Sequence, residues 1–129
     1  MSRRTIDQLL QDARARLDRL EPLAAHDEAA HGALLVDTRC AEARAMSGVI
    51  AGSVHVPLSI LFWRLDPTSG FDDRSLSDPA RRIILVCADG YSSSLAAATL
   101  RDLGFSRATD LVGGFNGWVA AGLPIDSPT

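Results

Sequence analysis

Apolar residues recur at helical spacing at the start of the chain: Ile6, Leu9, Leu10, Ala13, Leu17 and Leu20 share a face, with Asp, Gln and Arg on the others. The pattern predicts a first helix of about four turns, with Ser2 as candidate cap. Pro22 suits the first position of a second, shorter helix, which His31-Gly32 would close with glycine in the left-handed conformation. Ala33 to Val36 is short, apolar and followed at once by Asp37-Thr38-Arg39, the signature of a buried strand that delivers polar residues at its carboxyl end. Val54 to Val56, before Pro57, reads as another short strand, and Leu58 to Leu65 as helix broken by Asp66-Pro67-Thr68-Ser69-Gly70. From there to Arg82 the composition is that of a surface loop.

Ile83 to Val86 is the strongest strand signal, Ser93 to Leu103 the strongest late helix, closed by Gly104. Ala108 to Leu111 makes a further strand, and Phe115 to Ala121 a last short helix ending at Gly122. Strands alternating with helices predict an α/β domain with a mostly parallel central sheet and helices on both faces. Residues 1–31 are read as a helical extension packed on that domain, and 32–129 as the domain itself.

Length narrows this to one core, since 129 residues make one ordinary domain and 47% hydrophobic content is enough to fill it. Net charge is −3 without blocks of like charge, which argues against nucleic acid or a membrane surface as partner and favours small or neutral ones. All 13 basic side chains are arginine, so a lysine Schiff base and a Walker-type lysine are excluded. No apolar run approaches the roughly 18 residues needed to span a bilayer, and the Met-Ser-Arg-Arg start is unlike a secretory signal. The expected location is cytoplasmic, where Cys40 and Cys87 stay as thiols. His26 and His31 stand five apart, which turns the rings away from each other, and nothing else calls for a metal or cofactor.

The chemistry concentrates in Cys87-Ala88-Asp89-Gly90-Tyr91-Ser92-Ser93-Ser94, at the seam between a strand and a helix. Ligands bind outside the carboxyl ends of such strands. A loop with Gly90 at its middle can point consecutive N–H groups inward, and the helix behind it adds positive dipole character. That geometry lowers a thiol's pKa and accepts an anionic substrate group. The serine hydroxyls can donate to the anion or cap the helix. The bland alternative is a buried structural cysteine.

Ordered pieces along the chain carry a resemblance: Leu34-Leu35-Val36-Asp37-Thr38-Arg39; Gly48 to Pro57; Cys87 to Ser93; Leu103-Gly104-Phe105; and Leu111-Val112-Gly113-Gly114-Phe115-Asn116-Gly117-Trp118. From about Leu34 to Pro124 the chain resembles the single-domain members of the rhodanese family of sulfurtransferases. The resemblance implies a rhodanese-like α/β fold in which Cys87 takes sulfane sulfur from thiosulfate, a polysulfide or a persulfide. It then hands that sulfur to cyanide, a small thiol or an acceptor protein. It also implies that Ala88, Asp89, Gly90, Tyr91, Ser92 and Ser93 line the persulfide, and that Asp37 and Arg39 support neighbouring loops.

The chain departs from the family in two places. Where many relatives have an arginine near Ser92 the loop has none, and it carries Asp89, so thiosulfate is expected to be a poor donor; each lost charge-assisted contact costs on the order of 1 kcal/mol. Arg64 is the candidate to reach the pocket instead. The family's Gly-His-Ile piece has Val49 in place of histidine. Cys40 is weighed as a resolving thiol against indifferent packing, His55 as a structural histidine, Tyr91 as a shaper of access, and Trp63 and Trp118 as core residues. The alternative functions are a catalytically weak binding or redox-sensing module and a cysteine phosphatase; the phosphatase lacks its arginine clamp, since Ser92 and Ser93 stand where it would be.

Overall fold

The computed structural model describes residues 2–127. In chain order it forms α1 (Ile6–Ala15), α2 (Pro22–Ala30), β1 (Leu34–Asp37), α3 (Ala41–Ser47), β2 (Val49–Ile50), β3 (Val54–His55), a 3₁₀ turn at Leu58–Ile60, α4 (Leu61–Leu65), β4 (Ile83–Val86), α5 (Ser92–Asp102), β5 (Thr109–Asp110), α6 (Gly114–Ala120) and β6 (Ile125–Asp126). Four strands make one parallel sheet in the order β3-β1-β4-β5. β2 and β6 pair antiparallel beside it, Val49 opposite Asp126.

Side chains on a strand alternate between faces, and β1 and β4 use both. Leu34, Val36, Ile83 and Leu85 face one core with Leu61 and Leu65 of α4 and Ala96, Ala97 and Leu100 of α5. Leu35, Ile84 and Val86 face another with Ala25, Ile50, Leu111, Phe115 and Trp118. Helices therefore cover both sides of the sheet, as the pattern predicts. Register then sets the site: Asp37 lies opposite Val86 and His55, and Leu85 opposite Asp110. The residues following these positions emerge together at the carboxyl edge.

The N-terminal region differs from the sequence reading. α1 starts not at Ser2 but in a capping box, with Thr5 Oγ1 accepting from Gln8 N–H and Gln8 Oε1 accepting from Thr5 N–H. It also ends at Ala15, shorter than the predicted four turns. Leu20 is drawn out to the open edge of β5, where its N–H donates to Asp110 O (3.1 Å) and its C=O accepts from Val112 N–H (2.8 Å). An edge strand offers unpaired backbone groups, and here they outcompete the last turn of the predicted helix. The segment is held by Asp18, which pairs with Arg82 and Arg101, while Arg82 also holds Glu28 of α2. α1 itself lies along α5.

α3 was not expected, because its sequence Ala-Glu-Ala-Arg-Ala-Met-Ser has helix formers but no apolar stripe, and none of its residues is buried. Between Leu65 and Ile83 three aspartates each accept a bond from the amide two residues on: Asp66 from Thr68, Asp73 from Ser75 and Asp78 from Ala80. Of the two tryptophans expected in the core, Trp118 is 1% exposed and Trp63 is 55% exposed. Trp118→Ala is therefore expected to lower stability by about 3–5 kcal/mol, and Trp63→Ala by no more than about 0.5 kcal/mol, in urea denaturation.

Candidate active site

Residues Cys87 to Tyr91 connect β4 to α5, and three of the loop's carbonyls are held by donors from other parts of the chain. Cys87 O accepts from Phe115 N–H (2.8 Å) and Ala88 O from Asn116 N–H (3.0 Å), both at the start of α6. Gly90 O accepts from Arg14 Nη2 (2.7 Å) and Arg19 Nη2 (3.0 Å). All peptides among the described residues are trans, so each carbonyl turned outward sets the next residue's N–H pointing the opposite way. The amides of Asp89, Tyr91 and Ser92 meet no acceptor among the described residues, and Gly90 N–H points at the sulfur.

Two glycines make this packing possible. Gly90 has φ +85°, and a Cβ there would come within 2.9 Å of Gly113 N. Gly114 has φ +59°, and its Cβ would collide with Cys87 O and lie 2.7 Å from Ala88 C. Any side chain at Gly114 would push α6 off the loop.

Cys87 Sγ accepts from Gly90 N–H at 3.1 Å, and its S–H donates to Ser93 Oγ at 3.3 Å. The residue is 7% exposed, and the groups bonded to its sulfur are a backbone amide and a hydroxyl. Burial works to raise its pKa, but the hydroxyls of Ser93 and Ser92 and the amides of Ser93 and Gly90 outweigh burial and hold the thiol below its ordinary value.

Under the sulfur lies a carboxylate that sequence reading missed. Asp110 is fully buried and accepts four bonds: from Arg19 Nε (2.8 Å) and Nη2 (3.1 Å), and from the hydroxyls of Ser93 and Ser94 (2.7 Å each). With the thiol protonated, Ser93's single proton goes to Asp110 and its lone pair takes the S–H. On ionisation the hydroxyl can rotate to the sulfur, because Asp110 keeps Arg19 and Ser94. Asp110 falls within the strand expected at Ala108 to Leu111, and a charge inside a short apolar strand is the signal that could have marked it. Arg14 and Arg19 carried none, reading as the polar face of a helix.

The other expected site residues fall into two groups. Ala88, Asp89, Gly90, Tyr91, Ser92 and Ser93 all sit in the loop or the first turn of α5. Asp89 points outward and is held by Asn116 Nδ2 (2.7 Å), and Tyr91 is exposed with Arg14 5.4 Å over its ring. Asp37 and Arg39 form a buried pair (2.8 Å) that also binds Gly48 O, and Arg39 stacks 3.8 Å over Phe115. Through Phe115 they brace the loop, since that residue's N–H holds Cys87 O.

Arg64 is not brought to the loop. It donates to Phe71 O (2.9 Å) and faces Asp73 (3.7 Å), on a separate groove with Ile60 and Trp63. Its position at the end of α4 commits it to the loop that follows, and the cations that reach Cys87's loop come from the N-terminal region instead. Cys40 is exposed at the start of α3 rather than packed, and His55 Nε2 bonds Arg39 O (2.8 Å).

Comparison with known proteins gives the site a context. A family model described as rhodanese-like domain matches residues 18–121. The thiosulfate sulfurtransferase GlpE of Stutzerimonas stutzeri is 37% identical over 100 residues, covering 78% of this chain and 83% of that protein. A protein of unknown function from Rhodopseudomonas palustris, described as a possible tyrosine phosphatase, superposes with TM-score 0.89 at 29% identity, over 98% of this chain and 97% of that one. The polysulfide-sulfur transferase homodimer of Wolinella succinogenes shares the fold, with TM-score 0.70 at 24% identity over 92% and 84% of the two chains.

The depressed thiol pKa has a sign that can be measured. The folded state favours the thiolate, so this group's contribution to stability is complete above 9.0, the ordinary thiol value, and is lost as pH falls through the folded pKa. Alkylation of Cys87 by iodoacetamide is expected to reach half its plateau below pH 9.0, and Ser93→Ala to move that midpoint upward by about one unit or less.

Proposed function

The chain belongs to the rhodanese-like domain family and is a sulfurtransferase, and we propose that Cys87 carries the transferred sulfur as a persulfide. The observation that carries the reading is the thiol seated against Gly90 N–H, with the free amides of Asp89, Tyr91 and Ser92 around it. In the first half reaction the Cys87 thiolate attacks the outer sulfur of a donor. With thiosulfate the S–S bond breaks, sulfite leaves with the electron pair, and Cys87 holds a persulfide anion. In the second, cyanide or a thiolate attacks the outer sulfur and the Cys87 thiolate returns.

The persulfide's outer sulfur is one atom longer than the thiol and carries the charge, which suits a hollow lined with N–H groups and short hydroxyls. Donor choice follows from charge. The loop's residues include no cation and place Asp89 at the rim, so a persulfide, which brings one charge at its sulfur, is favoured over the dianion thiosulfate. Small sulfur compounds are the partners this site fits, and a reducing, cytoplasmic setting suits a thiol without a disulfide partner.

The likeness to a possible tyrosine phosphatase does not carry over. Phosphate needs a guanidinium clamped across it, and Arg14 and Arg19 sit on the outer side of the loop, bound to Gly90 O.

Incubation with polysulfide should add about 32 Da to the intact chain, one sulfur atom held covalently. Cyanide should then release it as thiocyanate, and Cys87→Ser should abolish both; thiosulfate should load more slowly than a small-molecule persulfide. Absence of any thiol-dependent sulfur uptake would instead favour a binding or redox module, and release of phosphate from an aryl phosphate would favour the phosphatase.

A further inference from the structure

The loop's own sequence holds Asp89 and no cation, yet two guanidinium groups from about seventy residues earlier converge on one of its carbonyls. The two are not equivalent. Arg19 is matched by Asp110, which takes both its Nε and Nη2. Arg14 has no carboxylate partner among the described residues: Nη2 donates to Gly90 O, Nε donates to Ser94 Oγ (3.1 Å), and its Cζ stands 5.4 Å from the centre of the Tyr91 ring. Its charge is therefore the unmatched one at the loop.

We propose that Arg14 is a positioning residue for Cys87: delivered by the N-terminal helix, it holds the Gly90 carbonyl outward and supplies the positive charge that the loop's sequence lacks. The inference rests on the reading of Cys87 as the working thiolate. Holding Gly90 O outward turns the Tyr91 N–H into the hollow where an outer sulfur or an incoming anion would sit. Arg14 stands in the last turn of α1, where the helix dipole favours a cation. α1 is anchored along α5, with Arg16 paired to Asp102, and its helix ends where Leu20 must reach β5. The charged and titratable groups around the Cys87 loop are then Arg14 and Arg19 from the N-terminal segment, Asp110 from β5 through Ser93, Asp89 and Tyr91 in the loop, and the Asp37–Arg39 pair at the end of β1 with Arg44 on it. Of these, Arg14 is the cation bonded to the loop that touches no carboxylate among the described residues, whereas Arg19 is held by Asp110 and Arg39 and Arg44 share Asp37.

The test needs no sulfur donor. Rates of Cys87 alkylation are measured against pH with iodoacetamide, which is neutral, and with iodoacetate, which is anionic, for wild type, R14Q and R14K. In R14Q the plateau ratio of iodoacetate to iodoacetamide is expected to fall about three- to tenfold, with the pH midpoint moved up by about half a unit to one unit. R14K, which keeps the charge but not the fork, should restore most of the ratio and less of the midpoint. A folded R14Q with the wild-type ratio and midpoint would overturn the proposal. Should R14Q fail to fold, the wild type decides alone: its ratio should exceed that of N-acetylcysteine although the chain is net negative, and a ratio at or below it overturns the inference.

Sulfur uptake separates this from the reading beneath it. Uptake that needs Cys87, with an R14Q profile like wild type, leaves the sulfurtransferase mechanism standing and removes Arg14. A shifted R14Q profile in a chain that takes up no sulfur does the reverse.

Discussion

A peptide unit cannot point its N–H and its C=O the same way, and the candidate site depends on that constraint. For a loop to offer a sulfur several inward N–H groups, its carbonyls must face outward, and each outward carbonyl must be satisfied. The chain meets this from two directions. The first amides of α6 take the carbonyls of Cys87 and Ala88, and arginines from the N-terminal region take that of Gly90. Gly114 is where α6 approaches too closely for any side chain, so the glycine pair at 113–114 and the cysteine loop are one packing unit. The Asp37–Arg39 pair belongs to the same unit, since the Arg39 plane lies on Phe115.

A buried carboxylate beneath a thiol meant to ionise looks counterproductive, because like charges disfavour each other. Asp110 avoids this by being fully bonded and matched by Arg19, so that little of its charge reaches the sulfur. Removing Arg19 would leave a buried charge unpaired, at a cost of about 3–5 kcal/mol. The pair thus fixes the floor of the site, and Arg14 is left as the cation whose charge is not cancelled.

Much of this was legible in the chain. The four strands of the parallel sheet, both late helices and the cysteine loop follow from short apolar runs and from glycines where the chain turns, whereas β2 and β6, two residues each, are too short to carry a pattern. The Cys87 loop could be read locally because its strand, turn and helix are contiguous. The network under it could not, because Arg14 and Arg19 are joined to Gly90 and Asp110 only by the fold. Leu20 belongs to the same lesson: its helical spacing is real, but the free edge of β5 claims its backbone. Trp63 and α3 failed for the opposite reason, since apolar character and helix propensity do not by themselves decide burial.

The position of cations relative to the loop bears on which anion the site can serve. A phosphoryl group carries charge on several oxygens and calls for a planar cation inside the cradle. A persulfide carries one charge on one polarizable atom, which a few amides can hold without it. Here the guanidinium groups stand behind the backbone, where they act on a bound anion only through the peptide and at a distance. Such an arrangement favours thiolate, persulfide and a singly charged reagent approaching them, but it places no guanidinium inside the cradle to clamp the several oxygens of a phosphoryl group.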